Sequence, residues 1–166
     1  QMKSFKIPIS KEEFLYTMPA PTTPDHKHCN RALLQLLKVN VVISLLSQDD
    51  VADLELHHES KIYKEVGIGF IHFPIGDFGV PQNEDKFIAL VQALSTQIDL
   101  GQILAIHCRA GIGRSSLLAA AILIHRGFEP KDVFEHISEH RQTKVPDKRS
   151  QAEWLLALSP NLIKKI

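Results

Sequence analysis

Residues 103–116 read I-L-A-I-H-C-R-A-G-I-G-R-S-S. The apolar run Ile103 to Ile106 has the length and character of a buried strand. A glycine-bearing loop follows, and Arg114 then opens an apolar segment, Leu117 to Ile124, that reads as a helix buried nearly all round. Strand, tight loop and helix in that order put the loop at the carboxyl end of a sheet, where open α/β folds hold their ligands. Inside the loop Cys108 and Arg114 bracket five residues, with His107 just before and Ser115 just after.

A free thiol titrates at about pH 8.5 and needs help to become a nucleophile near neutrality. A helix N-terminus supplies it, because its first amides have no intrahelical partner and it carries roughly half a positive charge. The amides of Arg109, Ala110, Gly111, Ile112 and Gly113 can turn inward as a nest for an anion. Gly111 and Gly113 are expected to take positive φ there and let the backbone approach that anion closely. The same field favours a thiolate and brings such cysteines to about pKa 3.5–7.5. Arg114 offers a planar fork that matches two phosphate oxygens. Ser115 can give its hydroxyl to the thiolate, and His107 can donate to a loop carbonyl and fix the loop's shape. These residue types at this spacing suit attack by a thiolate on phosphorus.

A second element completes the chemistry. The stretch P-I-G-D-F-G-V-P (74–81) has Pro and Gly on both sides of one carboxylate, Asp77, and reads as a defined but movable loop. A departing alkoxide or phenoxide needs a proton, which a shielded carboxyl group can give. Taken alone, Asp77 also reads as a turn residue bonding its own backbone.

The segment H-C-R-A-G-I-G-R-S-S resembles the signature H-C-x-x-G-x-x-R-[S/T] of the cysteine-dependent protein phosphatases, and most closely that of the small dual-specificity branch. Motif order is similar along roughly residues 30–158. The resemblance implies an α/β fold with a mostly parallel central sheet flanked by helices on both faces. It implies that Cys108, Arg114, Asp77 and Ser115 are catalytic, with Asp77 as general acid, and that residues 109–113 bind the phosphate. Gln151, in S-Q-A-E-W-L, resembles the glutamine that positions the hydrolytic water in protein tyrosine phosphatases. The basic segment Gln142 to Arg149 matches a loop that borders the active-site mouth in relatives; solvated charge is the other reading of it. Cys29 could form a protective disulfide with Cys108, as a second cysteine does in some relatives.

The substrate this implies is a phosphorylated protein, with phosphotyrosine, phosphoserine and phosphothreonine all open to a shallow site. Arg109 within the loop leaves a phosphoinositide or another non-protein phosphate ester as an alternative. A binding-only module that captures phosphoproteins is a third reading, against which the chain keeps Cys108, Arg114 and Asp77. No metal or other cofactor is expected, because arginine and amides supply the positive charge.

Composition bounds the rest. The 166 residues suffice for one domain that buries roughly 70% of its unfolded surface, read as 1–166 with edge strands and a Pro-rich loop over 1–29 and a catalytic core over 30–158. Nineteen basic and nineteen acidic residues cancel, which argues against a general nucleic-acid or membrane-surface binder. Two cysteines make no disulfide framework, and a working thiol suits a reducing, cytoplasmic setting. No run is apolar enough to span a membrane, and the N-terminus lacks a signal peptide's apolar core. Gln1 ahead of Met2 reads as a cloning remnant.

Elsewhere, Asn30 is expected to cap a helix over 31–39 with Leu33, Leu36 and Leu37 inward. Val41 to Leu46 and Ile68 to Ile75 read as strands, and Gln48 to His57 as a short helix or turn. His26, His28 and Cys29 read as a solvated turn, or else a metal site; His57, His58 and Glu59 read as exposed surface, or else a metal site. Asn83 should cap a helix over 84–98 with Phe87, Val91, Leu94 and Ile98 buried. Gly127 should end the central helix and Pro130 open the next, through about Arg141, with Trp154, Leu155 and Leu158 closing the core.

Overall fold

The central strand is buried on both faces because every one of its residues is apolar or bonded. In the computed structural model, which describes residues 3–164, β5 (Leu104–His107) has all four residues buried. Leu104 and Ile106 enter one core cluster and Ala105 the other, as alternation along a strand requires. Around it lie β1 (Phe5–Pro8), β2 (Phe14–Met18), β3 (Val41–Ser44) and β4 (Gly69–His72), in the order β1-β2-β5-β3-β4. β1 runs antiparallel to β2; the other three pairings are parallel, with Val42 and Tyr16 both opposite Ala105. β2 is therefore an interior strand, where the sequence suggested an edge. Gln1 and Met2 lie outside the described residues.

One face of the sheet carries α1 (Arg31–Leu36), α2 (Gln48–Leu54) and α3 (Glu59–Lys64). The other carries α4 (Glu84–Asp99), α5 (Arg114–His125), α6 (Val133–Arg141) and α7 (Arg149–Leu158). The expected stripe on α4 is buried throughout, and Asn83 caps it by accepting from the Lys86 amide at 2.9 Å. α5 has eleven consecutive buried residues, Arg114 through Ile124, and Gly127 at φ +109° turns the chain away from it. Leu155 and Leu158 close this core with Trp154 packed against it.

Several expectations give way to tertiary context. α1 stops at Leu36 because Lys38 turns left-handed (φ +61°) and the Val39 amide returns to the Leu34 carbonyl, which sends Val39 inward. The buried residue of α1 is Leu34, and Leu36 is 78% exposed. Asn30 does not cap; its side chain pins the preceding loop, accepting from Asp25 N at 3.0 Å and donating to Thr23 O at 2.7 Å. α6 opens at Val133, three residues past Pro130. Glu59 is not a surface residue but 2% exposed, and Cys29 is fully buried, its thiol pushed up to about 12 by burial with help from Glu59 and Asp25. Cys29 packs in the α1–α3 core and Cys108 in the α4–α7 core, and both thiols are free. His26 and His58 spend Nε2 on the carbonyls of Leu54 and His26. Among the described residues no group of three or more His, Cys, Asp or Glu could hold a metal, and no helix is long and apolar enough to cross a membrane.

Candidate active site

The loop between β5 and α5 has its peptide groups sorted by direction. The carbonyls of Arg109, Ala110 and Gly111 point outward and are taken by Ala20 N at 3.0 Å, Arg141 Nη2 at 3.1 Å and Arg141 Nε at 2.9 Å. Among the described residues no protein acceptor takes the amides of 109–113. In a planar trans peptide the N–H of the following residue is opposed to the C=O, so these outward carbonyls leave the amides of Ala110, Gly111 and Ile112 facing the loop's interior. Gly111 sits at φ +72°, and a Cβ there would meet the Met18 carbonyl carbon at 2.6 Å. Gly113 has an ordinary φ of −84°, contrary to the positive value expected; it is glycine because Asp147 and Gln151 crowd it, with Asp147 Oδ2 2.5 Å from where a Cβ would sit.

Cys108 is 2% exposed and its Sγ lies 3.5 Å from Ser115 Oγ, a hydroxyl in the first turn of α5. His107 is fully buried, with Nδ1 donating to the Cys108 carbonyl at 3.2 Å. Ile112 packs against the α4–α7 core and fixes the outer loop.

Arg114 is buried, yet both of its terminal nitrogens are engaged. Nη1 donates to Asp50 Oδ2 and to the carbonyl of Ile75 at 2.8 Å; Nη2 donates to Asp77 Oδ1 at 3.0 Å. The structure thus brings Asp77, Arg114 and Cys108 to one mouth. Asp50 is held by Ser47 as well, whose amide and hydroxyl reach Oδ2 at 3.0 and 2.9 Å. Burial alone would raise the Asp50 pKa, but the bonds from Arg114 and Ser47 outweigh it and hold the carboxyl down to about 2. Its other oxygen accepts from Arg109 at 3.2 Å.

Gln151 is buried at the start of α7 and spans two segments. Nε2 donates to the Gly79 carbonyl at 3.0 Å in the loop that carries Asp77, and Oε1 accepts from Lys148 N at 3.3 Å. Lys148 lies 5.0 Å over the ring of Phe78, so the basic segment does border the mouth. On the opposite side Lys3, Arg109 and Arg141 line a cavity of about 390 Å³.

Sequence reasoning missed Asp50, Glu59, Arg141 and Asp147. Ser47-x-x-Asp50 is legible as a capping box, and both of its reciprocal bonds form, but nothing in it points at Arg114. The others give no sequence signal, since they reach the loop only through the fold.

Known proteins resemble this chain in sequence and in fold. The dual specificity phosphatase catalytic domain, as a family, matches residues 23–159. Protein tyrosine phosphatase type IVA 3 of Homo sapiens is 26% identical over 141 residues, covering 79% of this chain and 80% of that protein. Among solved structures, kinase associated phosphatase with its catalytic cysteine changed to serine superposes with a TM-score of 0.86 at 18% identity, covering 99% of this chain and 98% of that one. PTPMT1 in complex with PI(5)P gives 0.74 at 24% identity over 89% and 91%.

Proposed function

The chain belongs to the dual specificity phosphatase family and is a phosphatase, and from that premise we propose that it hydrolyses phosphotyrosine, phosphoserine or phosphothreonine in proteins through a phosphocysteine intermediate. Residues 1–166 act as one catalytic domain in a cytoplasmic setting. The sorted peptide groups of the signature loop carry this reading: the outward carbonyls of Arg109, Ala110 and Gly111 are bonded, and the opposed amides of Ala110, Gly111 and Ile112 have no protein acceptor among the described residues.

An incoming phosphate takes the loop amides and the Arg114 fork, and displaces Asp77 from Nη2. Cys108 Sγ, steadied by the Ser115 hydroxyl, forms a bond to phosphorus as the bond to the leaving oxygen breaks. Asp77, which takes up a proton from solvent on leaving Arg114, gives that proton to the departing oxygen, and the amides and Arg114 stabilise the equatorial oxygens. In the second half, water attacks the phosphocysteine, Asp77 takes a proton from it, and the S–P bond breaks to release inorganic phosphate. His107 supports the loop, and no metal enters either step.

The cationic side chains around the mouth (Arg109, Arg141, Lys148) suit an anionic partner. Cys108→Ser should abolish turnover of an aryl phosphate, and activity surviving that change overturns the assignment. Asp77→Ala, which keeps the phosphate site but lacks the acid, should trap a phosphoprotein from a lysate. Capture of a phosphoinositide instead would move the substrate class to lipids.

A further inference from the structure

Glu59, the first residue of α3, is a buried carboxylate that the reaction above does not use. It is 2% exposed, and both of its side-chain bonds fall on Oε2: His107 Nε2 donates at 2.8 Å and the Tyr63 hydroxyl at 3.1 Å. The other ring nitrogen of His107 donates to the Cys108 carbonyl at 3.2 Å. The Cys108 carbonyl only accepts, so the proton on Nδ1 is required by the geometry; with Glu59 as a carboxylate Nε2 donates as well. Burial works against a charged ring, but the Glu59 charge and hydrogen bond outweigh it, so His107 titrates above its ordinary value despite Arg114. Stability alone does not call for this pair, because buried ion pairs are often matched by well-packed apolar residues.

The geometry has a direct consequence for the loop. The Cys108 carbonyl shares its peptide with the Arg109 amide, the first N–H of the anion nest. Pinning that carbonyl toward His107 turns the Arg109 N–H the opposite way, into the loop. We propose that Glu59 is a positioning residue for the signature loop: it fixes the His107 ring so that Nδ1 holds the Cys108 carbonyl and the Arg109 amide is presented to the substrate phosphate. This rests on the reading of that loop as the phosphoryl-transfer site.

Glu59 also lines a cavity of about 300 Å³ with Ser44, Gln48, His57, Ser60 and His72. That cavity supplies a test by chemical rescue, since formate can enter it and stand in for a deleted carboxylate. In Glu59→Ala, kcat for a phosphotyrosine peptide should fall on the order of a hundredfold, the cost of a displaced reacting group. Formate, and not chloride, should restore it saturably. Nitrogen-15 shifts should report two protonated nitrogens on His107 in the wild-type enzyme and one in Glu59→Ala. A folded Glu59→Ala enzyme with wild-type turnover, or one that formate leaves at its reduced rate, overturns the assignment. Should Glu59→Ala not fold, the wild-type measurement decides alone, and a His107 ring with no proton on Nδ1 overturns it. Neither readout depends on Cys108→Ser, whose survival as an active enzyme would remove the phosphatase mechanism itself.

Discussion

Arg114 is gripped by two carboxylates that share a partner and little else. Asp50 sits on its inner side in a short helix, almost fully buried, with Ser47 bonded to the same oxygen. Asp77 sits on its outer side in a loop bounded by Pro74 and Pro81, its side chain 43% exposed, with Arg114 as its ion-pair partner. A carboxylate held by several bonds in a dry site is a fixture. One held by a single bond at a wet mouth is a part that can be exchanged, and an incoming phosphate offers Arg114 a better partner than Asp77 does. The asymmetry fits the proposed mechanism, in which Asp50 would aim the guanidinium and Asp77 would leave it to move a proton.

Removing the exchangeable partner tests the sharper half of that claim. Asp77→Asn should cut kcat by about 10²–10⁴-fold for an alkyl or aryl phosphate with a poor leaving group, the range lost with a general acid. KM should hold or fall, because Arg114 gains a free arm. The melting temperature should barely move, since half-exposed pairs contribute about 0–1 kcal/mol. A large loss of stability in a denaturation curve would show that Asp77 is a fixture too, and the comparison would collapse.

The fixed partner should behave oppositely. Asp50→Ala leaves a buried guanidinium short of a counter-charge, a change that costs about 3–5 kcal/mol of folding stability. It also unties Arg109, so substrate affinity should fall along with kcat. Equal urea midpoints for Asp50→Ala and the wild type would deny Asp50 its role as anchor.

Acid should erase the same contrast by degrees. The Asp50 carboxyl is lowered from 3.8 to about 2 in the folded chain, so it contributes stability that is fully present above its unfolded value and lost as pH falls through its folded one. The stability gap between the wild type and Asp50→Asn should therefore be constant above about pH 5 and shrink between about pH 4 and pH 2. Denaturant titrations at a series of pH values read this directly, and a gap that widens on acidification would reverse the sign of the linkage.

What the sequence made legible, and what it hid, follows the same line between local and assembled structure. Strand, thiol, nest and arginine are contiguous because an anion site at a helix N-terminus is made from neighbouring backbone, so residues 103–116 announced the fold and its mouth together. The loop around Asp77 was legible because Pro and Gly punctuate it, and the structure sets Asp77 against Arg114; its role as acid is the proposal made above. Asp50 and Glu59 were not legible, since each lies far along the chain from the loop it serves. Glu59 follows two histidines and looks like a surface run until α3 turns it inward beside Tyr63. Leu36 erred in the other direction: its periodicity fitted a buried stripe, but the early left-handed turn at Lys38 ends α1 and leaves it exposed.

Gln151 gives the finest probe, because it ties the movable side of the site to the fixed one. Its Nε2 holds the carbonyl of Gly79, two residues past Asp77, while its own backbone belongs to α7. As a brace, it would keep the acid loop near the thiol in both half-reactions. As the residue that positions the hydrolytic water, it would matter only in the second. Losing one such hydrogen bond is worth about 0.5–1.5 kcal/mol, so Gln151→Ala should slow turnover by about 2–12-fold. Rapid-quench kinetics separates the two roles. A brace slows formation and breakdown of the phosphocysteine alike and leaves the burst at its wild-type size, whereas a water-positioning residue slows breakdown alone, so phosphocysteine accumulates and the initial burst of released alcohol grows. The bonds to Gly79 and Lys148 use both ends of the amide in the free enzyme, so we expect the burst to keep its wild-type size.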